Sequence, residues 1–141
     1  MMKIIKRDGR QEDISFDKII TRIKLLTNEL TNDIDPVFLA QKVISYVKDG
    51  IKSTEVDEVS ARIATSMCTD HPDWGLLGSR IIISNLHKNT MGCFSDKIIK
   101  LYKNKDFDNK PHPIVNRKLY RLVMKHGNVL DNMIDYQRDF L

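Results

Sequence analysis

KRDGRQEDISFDK, residues 6–18, carries a tight turn and a helix start within one short stretch. Asp8-Gly9 is a preferred two-residue hairpin turn, because both central positions require φ > 0. It lies between KIIKR (3–7) and RQEDI (10–14), which predicts an N-terminal β-hairpin. Alternation in those flanks is weak, so the turn carries the prediction. Ser15 is placed to cap a helix. Phe16, Ile19, Ile20, Ile23, Leu26 and Leu30 then recur at helical spacing and give one apolar face.

Outward from that stretch the chain is punctuated at residues 32–36. Asp35-Pro36 is a cap followed by proline at the first helical position, where its missing N–H costs nothing. The second helix is expected to reach about Lys48, with Val37, Ala40, Val43, Ile44 and Val47 inward, and Asp49-Gly50 ends it. Ser53-Thr54 opens a third helix. Thr54 and Asp57 have capping-box spacing, with Asp in place of Glu, and Val56, Val59, Ile63, Ala64 and Met67 form the stripe. A fourth helix is expected over about 72–88. Its middle, GLLGSRIIIS (75–84), is apolar almost all round, which predicts the most buried helix of the chain. Gly75 and Gly78 allow a neighbour to approach closely, at a cost in helix propensity. Trp74 reads as core or rim.

After Met91-Gly92 the texture changes. FSDKIIKLYKN (94–104) predicts a short amphipathic helix, KDFDNKPHP (105–113) a polar loop, and residues 114–126 and 128–140 two further helices. The expected organisation is a hairpin with a compact helical bundle over 1–92 and helices needing another partner over 93–141. DYQRDFL (135–141) ends with Tyr136, Phe140 and Leu141 apolar and without a cap, so the chain is expected to continue in a longer protein.

The chain has 141 residues, 41% hydrophobic and 30% charged, which suits a packed core rather than disorder. A net charge of +4, with pI near 9.1, favours an anionic partner, either a nucleotide or a nucleic acid. Cys68 and Cys93 are far apart and form no zinc pattern with His71, His87, His112 or His126, so two reduced cysteines and no metal site are expected. The N-terminus turns charged before any signal-length apolar run, and no stretch approaches the length of a membrane span. Phosphate-binding glycine loops, nucleophile elbows and His-x-x-x-His spacing are absent from the sequence.

The charges of the opening stretch remain. Lys6 and Arg7 sit beside the turn, where cations can converge on a phosphate chain. Glu12, Asp13, Ser15 and Asp17 offer acceptors and a hydroxyl, and the N–H groups over Ser15–Lys18 open a helix, whose partial positive charge attracts anions. Ser53 and Asp57 lie at another helix start, and Lys88 ends the fourth helix. Mixed signs fit a nucleotide better than a bare polyanion. The same residues also suit plainer roles: cross-strand charge pairs for the hairpin, caps for Ser53, Thr54 and Asp57, and a dipole-offsetting cation for Lys88.

Three ordered segments carry a more specific signal. IIKRDGRQEDISFDKI (4–19), DGIKSTEVDE (49–58) and HPDWGLLGSRIIISNLHK (71–88) together resemble the N-terminus of the large subunit of class I ribonucleotide reductase. The resemblance implies a mainly α fold: an N-terminal β-hairpin capping a four-helix ATP-cone bundle over 1–92. Residues 93–141 would then form a helical segment leading into a catalytic barrel that this chain lacks. It implies binding of ATP or dATP, with Mg2+, as an allosteric effector of overall activity in deoxyribonucleotide synthesis. Position by position it assigns Lys6 and Arg7 to the phosphates and Glu12, Asp13, Ile14, Ser15, Phe16, Asp17 and Lys18 to base and sugar. Ser53, standing where the family has threonine, contributes a hydroxyl, Asp57 lies near sugar and phosphates, and Lys88 meets a phosphate.

The implied partners are the rest of the large subunit, its homo-oligomers and the small, radical-generating subunit, in the cytoplasm, with no membrane. The family's redox and radical cysteines match neither Cys68 nor Cys93, so no redox cofactor and no catalysis by this chain alone are expected. A basic helical nucleic-acid-binding or regulatory module using an ATP-cone is the alternative. Its known form carries an N-terminal zinc ribbon, which this sequence lacks.

Overall fold

The computed structural model describes residues 2–31, 33–90 and 92–141. Asn32 and Met91, read above as parts of breaks between helices, lie outside the described residues. The chain forms two compact units, Met1–Leu86 and His87–Leu141.

The first unit opens with the expected hairpin, β1 (Lys3–Ile5) and β2 (Gln11–Asp13), paired antiparallel with Ile4 opposite Glu12. Its connection is not the two-residue turn read from Asp8-Gly9. The Lys6 N–H donates to the Arg10 carbonyl at 2.8 Å and the Gly9 N–H to the Lys6 carbonyl at 3.0 Å. Gly9 has φ +84°, whereas Asp8 is not among the described residues with positive φ. This is a three-residue loop, a turn followed by a left-handed glycine, which matches the strand twist as well as the two-residue form does. It makes Arg7 the first residue of the loop. Asp8 accepts from the Arg10 backbone N–H at 3.1 Å and from Arg10 Nε at 2.7 Å, closing two of the exposed charges on each other.

A third strand, β3 (Ile51–Lys52), runs parallel to β1 and completes a sheet of order β2-β1-β3. Periodicity could not reveal it, since two residues hold no period. It is set by long-range bonds: Lys3 N–H to Asp49 Oδ1 at 2.7 Å and Gly50 N–H to the Lys3 carbonyl at 2.8 Å.

Ser15 caps α1 (Phe16–Leu26) as expected, its Oγ accepting from the Lys18 N–H at 3.3 Å. Asp35 caps α2 (Pro36–Tyr46), accepting from the Val37 N–H at 2.8 Å, and this helix ends before the expected Lys48. α3 (Ser53–Ser66) begins at Ser53 but has no side-chain cap, so the Thr54–Asp57 capping box does not form. β3 feeds straight into the helix, which places Lys52 at the cap position, and the Asp57 carboxylate is engaged elsewhere. A one-turn 3-10 helix (Met67–Thr69) follows, then α4 (Asp73–Asn89).

Helices α1 to α4 supply one core, which includes Ile23, Leu39, Val43, Ala64, Trp74 and Leu77. α4 is not the most buried helix. Trp74, Leu77, Gly78 and Ile81 are buried, but Leu76, Ile82 and Leu86 are each more than half exposed, because only one side of the helix meets the core. α4 also holds the α1–α2 connection by polar bonds. Arg80 Nη1 donates to the carbonyls of Leu26 (3.1 Å) and Asn28 (2.6 Å), and Asp73 Oδ2 accepts from the Thr31 N–H at 3.0 Å.

In the second unit α5 (Phe94–Tyr102) packs on α6 (Arg117–Met133), with Ile98 and Val123 buried and the rings of Tyr102 and Tyr120 stacked 4.0 Å apart. The two helices read over 114–126 and 128–140 correspond to two helical runs within Arg117–Met133, divided by a kink with non-helical backbone angles at His126, and a 3-10 turn follows at Tyr136–Phe140. The break falls beside Gly127, whose low helix propensity suits it, and the second run ends at Met133 rather than at 140. α5 lacks a cap of its own. Asp131 of α6 supplies one, accepting from the Ser95 N–H at 2.8 Å and from Ser95 Oγ at 2.6 Å.

Two outcomes follow from this packing. A Cβ on Gly78 would lie 2.4 Å from Thr65 Oγ1 and 3.1 Å from the Ala61 carbonyl. Gly78→Ala therefore lowers the stability of the first unit by about 1–3 kcal/mol from overpacking, net of ~1 kcal/mol gained in helix propensity. A rise in the thermal midpoint would show that α3 and α4 do not meet there. The Ser95 hydroxyl and then its N–H hold the Asp131 carboxyl below its ordinary value of 3.8. A carboxyl lowered by folding contributes stability above its unfolded value and loses it as pH falls through the folded one. The second unit should thus weaken below about pH 4, and Asp131→Asn should shrink that acid dependence in a circular-dichroism titration.

Candidate functional site

The three-residue loop sends Arg7 across the unit to a buried carboxylate. Arg7 Nη2 lies 3.0 Å from Asp57 Oδ2 on α3, and the same nitrogen donates to Asn85 Oδ1 on α4. Arg22, from the middle of α1, pairs through Nη1 with Asp57 Oδ1. Asp57 is only 1% exposed. One carboxylate thus joins the hairpin loop, α1 and α3, and through Arg7 also α4. Burial, and then the neighbouring Arg7 charge, lower the Arg22 guanidinium to about 10. The group remains protonated at neutral pH, and Asp57 faces two full positive charges.

A second cluster adjoins the first in sequence. Glu12 Oε2 on β2 lies 3.3 Å from Lys6 Nζ and 3.1 Å from Lys18 Nζ. Lys18, and then Lys6, hold the Glu12 carboxyl below its ordinary value. Both lysines keep substantial exposure, so these pairs are individually weak and open to exchange. Across the two clusters, four cations (Lys6, Arg7, Lys18 and Arg22) pair with two carboxylates (Glu12 and Asp57), and Asp13 and Asp17 add two more acidic groups to the same stretch of sequence.

The other expected residues fall around this frame. Asp13 is exposed on β2. Ile14 is half-buried against the core, its N–H donating to the Met2 carbonyl at 3.0 Å. Ser15 caps α1, and Phe16 and Asp17 stand exposed in its first turn. Those first-turn N–H groups have no partner within the helix, so they add a dipole of the sign that anions prefer. Ser53 lies one helical turn ahead of Asp57 and shares its side of α3. Lys88 is exposed in the last turn of α4 and belongs to the second unit.

Arg22 and Asn85 were not foreseen. Arg22 follows Lys18 by one helical turn on α1, a spacing that puts both on one face, and that was the available signal. Asn85 sits between Ser84 and Leu86 on α4 and carries no sequence signal. Cross-strand pairing, the plainer reading of the opening charges, accounts for Lys6 with Glu12 but not for Arg7, whose partners are 50 and 78 residues away.

The site combines loosely paired cations at a helix start with two guanidinium groups on a buried acid, a construction whose chemistry suits an anion. The chain matches the ATP cone domain over residues 2–89 and belongs to that family. Over 99% of its length it is 46% identical to the ribonucleoside-diphosphate reductase large subunit of Dictyostelium discoideum. It is equally similar, at 46%, to the large chain of Schizosaccharomyces pombe, and 40% identical to the large subunit of Vaccinia virus. The chain spans 17–18% of the length of these relatives.

The two clusters should differ sharply in what they contribute to stability. Removing one partner of a buried ion pair costs about 3–5 kcal/mol, so Asp57→Ala should lower the unfolding free energy from a urea titration by an amount in that range, with a lower midpoint. Glu12→Gln, which removes only exposed pairing, should leave the midpoint nearly unchanged. Equal losses would mean that the buried carboxylate is not the tie that the geometry indicates.

Proposed function

We propose that this chain is an allosteric nucleotide receiver: it binds ATP or dATP and thereby controls the overall activity of a ribonucleoside-diphosphate reductase large subunit. The observation that carries the reading is the gathering of Lys6, Arg7 and Lys18 around the hairpin and the start of α1, in a chain belonging to the ATP-cone family. Lys6 and Arg7 meet the phosphates, and a phosphate chain outcompetes a single exposed carboxylate for Lys6 and Lys18 because it brings more charge and more acceptors. The segment Glu12–Lys18 receives sugar and base, with Phe16 offering an exposed ring at the helix start. Ser53 supplies a hydroxyl one turn from Asp57.

ATP and dATP differ by one ribose hydroxyl, so discrimination falls to the groups facing the sugar. One hydrogen bond to such a group is worth about 1 kcal/mol, and more where a charge is left unpaired. Mg2+ would arrive on the phosphates: among the described residues no three His, Cys, Asp or Glu side chains group to hold a metal. The nucleotide acts by population shift, stabilising one arrangement of the cone, which requires different affinities for two states and not tight binding alone. The outer surface of the cone then favours or disfavours contacts with the rest of the large subunit, its homo-oligomers and the small subunit. Among the described residues no helix is long and apolar enough to cross a membrane, which is compatible with work in the cytoplasm.

Isothermal calorimetry on the folded chain tests this. ATP and dATP should both bind, and Lys6→Ala should weaken binding by roughly tenfold, as expected for loss of a charge-assisted contact. Absence of heat from either nucleotide with a folded protein would sink the reading.

A further inference from the structure

The positive charge of the chain resides in the second unit and not in the unit that carries the candidate nucleotide site. Residues 87–141 hold eleven lysines and arginines against six aspartates, and residues 1–86 hold twelve against thirteen acidic residues, so the net +4 is +5 on the second unit and −1 on the first. Four aspartates of the second unit already accept from other groups: Asp131 from Ser95, Asp135 from the Gln137 N–H, Asp106 from the N–H groups of Asp108 and Lys110, and Asp139 beside His87.

The surplus is densest on α6. Arg117, Arg121 and Lys125 follow at four-residue spacing, and Lys118 stands three residues before Arg121, so four cations share one side of the helix. All four are exposed, and no acidic residue occurs between Asp108 and Asp131. Among the described residues no carboxylate pairs with any of them. Like charges four residues apart disfavour a helix. Arg117 and Lys118 also stand in the first turn, which has no acidic residue, where cations oppose the helix dipole. An external anion relieves both effects. An apolar edge runs along the same side. Leu122 lies one turn after Lys118 and is 51% exposed, and Val129 and Met133, beyond the kink at His126, are 61% and 75% exposed. The other side of α6 is already covered: Val123 is buried and Tyr120 stacks on Tyr102 of α5.

We propose that the outward side of α6 is a docking surface for an acidic amphipathic segment of a partner protein, with carboxylates set against the four cations and aliphatic side chains against Leu122, Val129 and Met133. The proposal goes beyond the nucleotide reading and stands without it. Charge complementarity makes the occupant acidic. The apolar residues among the cations make it a protein segment. A nucleic-acid backbone is met by cations alone and would leave those three side chains in water. Bases stack on free rings, and the rings of Tyr102 and Tyr120 are stacked on each other. A membrane surface is entered by a wide apolar face, and the wide apolar face of α6 lies against α5. A helical segment repeats its carboxylates every three or four residues, which matches the spacing of Arg117, Arg121 and Lys125.

Fluorescence anisotropy on the full chain tests this, with a labelled helical peptide of Glu, Leu and Ala that carries Glu and Leu on adjacent faces. The peptide should bind. Arg121→Glu combined with Lys125→Glu should weaken it by more than about tenfold, and Arg121→Lys by less than about threefold. Leu122→Ser should weaken it about fivefold through lost apolar contact. These positions are exposed, so circular dichroism should show unchanged helicity; if the double variant loses helix, Lys118→Glu alone reads the same face. No binding by the native chain overturns the proposal. Equal binding of a peptide with the same composition in scrambled order also overturns it, because bulk charge would then suffice. Tighter binding of an oligothymidine strand or of phosphatidylserine vesicles, lost in the charge-reversed variant, overturns it too and assigns the face to nucleic acid or to a membrane surface.

Discussion

The buried carboxylate of Asp57 is the constraint on which the first unit turns. Taking it out of water costs several kcal/mol unless cations follow it, and the two that do come from the hairpin loop and from the middle of α1. This requirement fixes the loop against the helices more strictly than the short strands can. β1 and β2 pair over only three residues each, and a two-stranded ribbon of that length has little stability in water. β3 and the Arg7–Asp57 contact make it part of the domain.

The same constraint divides the site into parts with different duties. Lys6, Glu12 and Lys18 lie near the surface, where charge pairs form and break at little cost. Asp57 lies inward, where any change of partner must be compensated, while the Arg7 and Arg22 side chains that reach it are part-exposed. Arg7 ties the hairpin loop to α3 and α4, where its partners Asp57 and Asn85 stand.

Much of the secondary structure was legible in the sequence because it is set locally. Ser15 and Asp35 cap the helices they were expected to cap, since a capping oxygen needs only backbone two or three residues away. The apolar stripe of α1 and the closeness allowed by Gly78 also follow from short-range pattern. The failures share another cause. The hairpin loop has three residues, Thr54 and Asp57 form no capping box, and α4 leaves Leu76, Ile82 and Leu86 exposed. In each case the sequence admits two local solutions, and a distant partner chooses between them.

The candidate site divides along the same line. Residue types, charges and order were enough to nominate Lys6, Arg7, Glu12, Lys18 and Asp57, because a helix start beside clustered cations suits anions wherever it occurs. Sequence alone also determined the family, since three ordered segments at fixed spacing survive without reference to contacts. Only the tertiary structure decided that Asp57 is buried and that Arg7 spans to it. It alone recruited Arg22 and Asn85 as partners in the cluster. Burial and partnership depend on which helices share a core. A carboxylate in a linear sequence looks the same whether it faces water or two guanidinium groups.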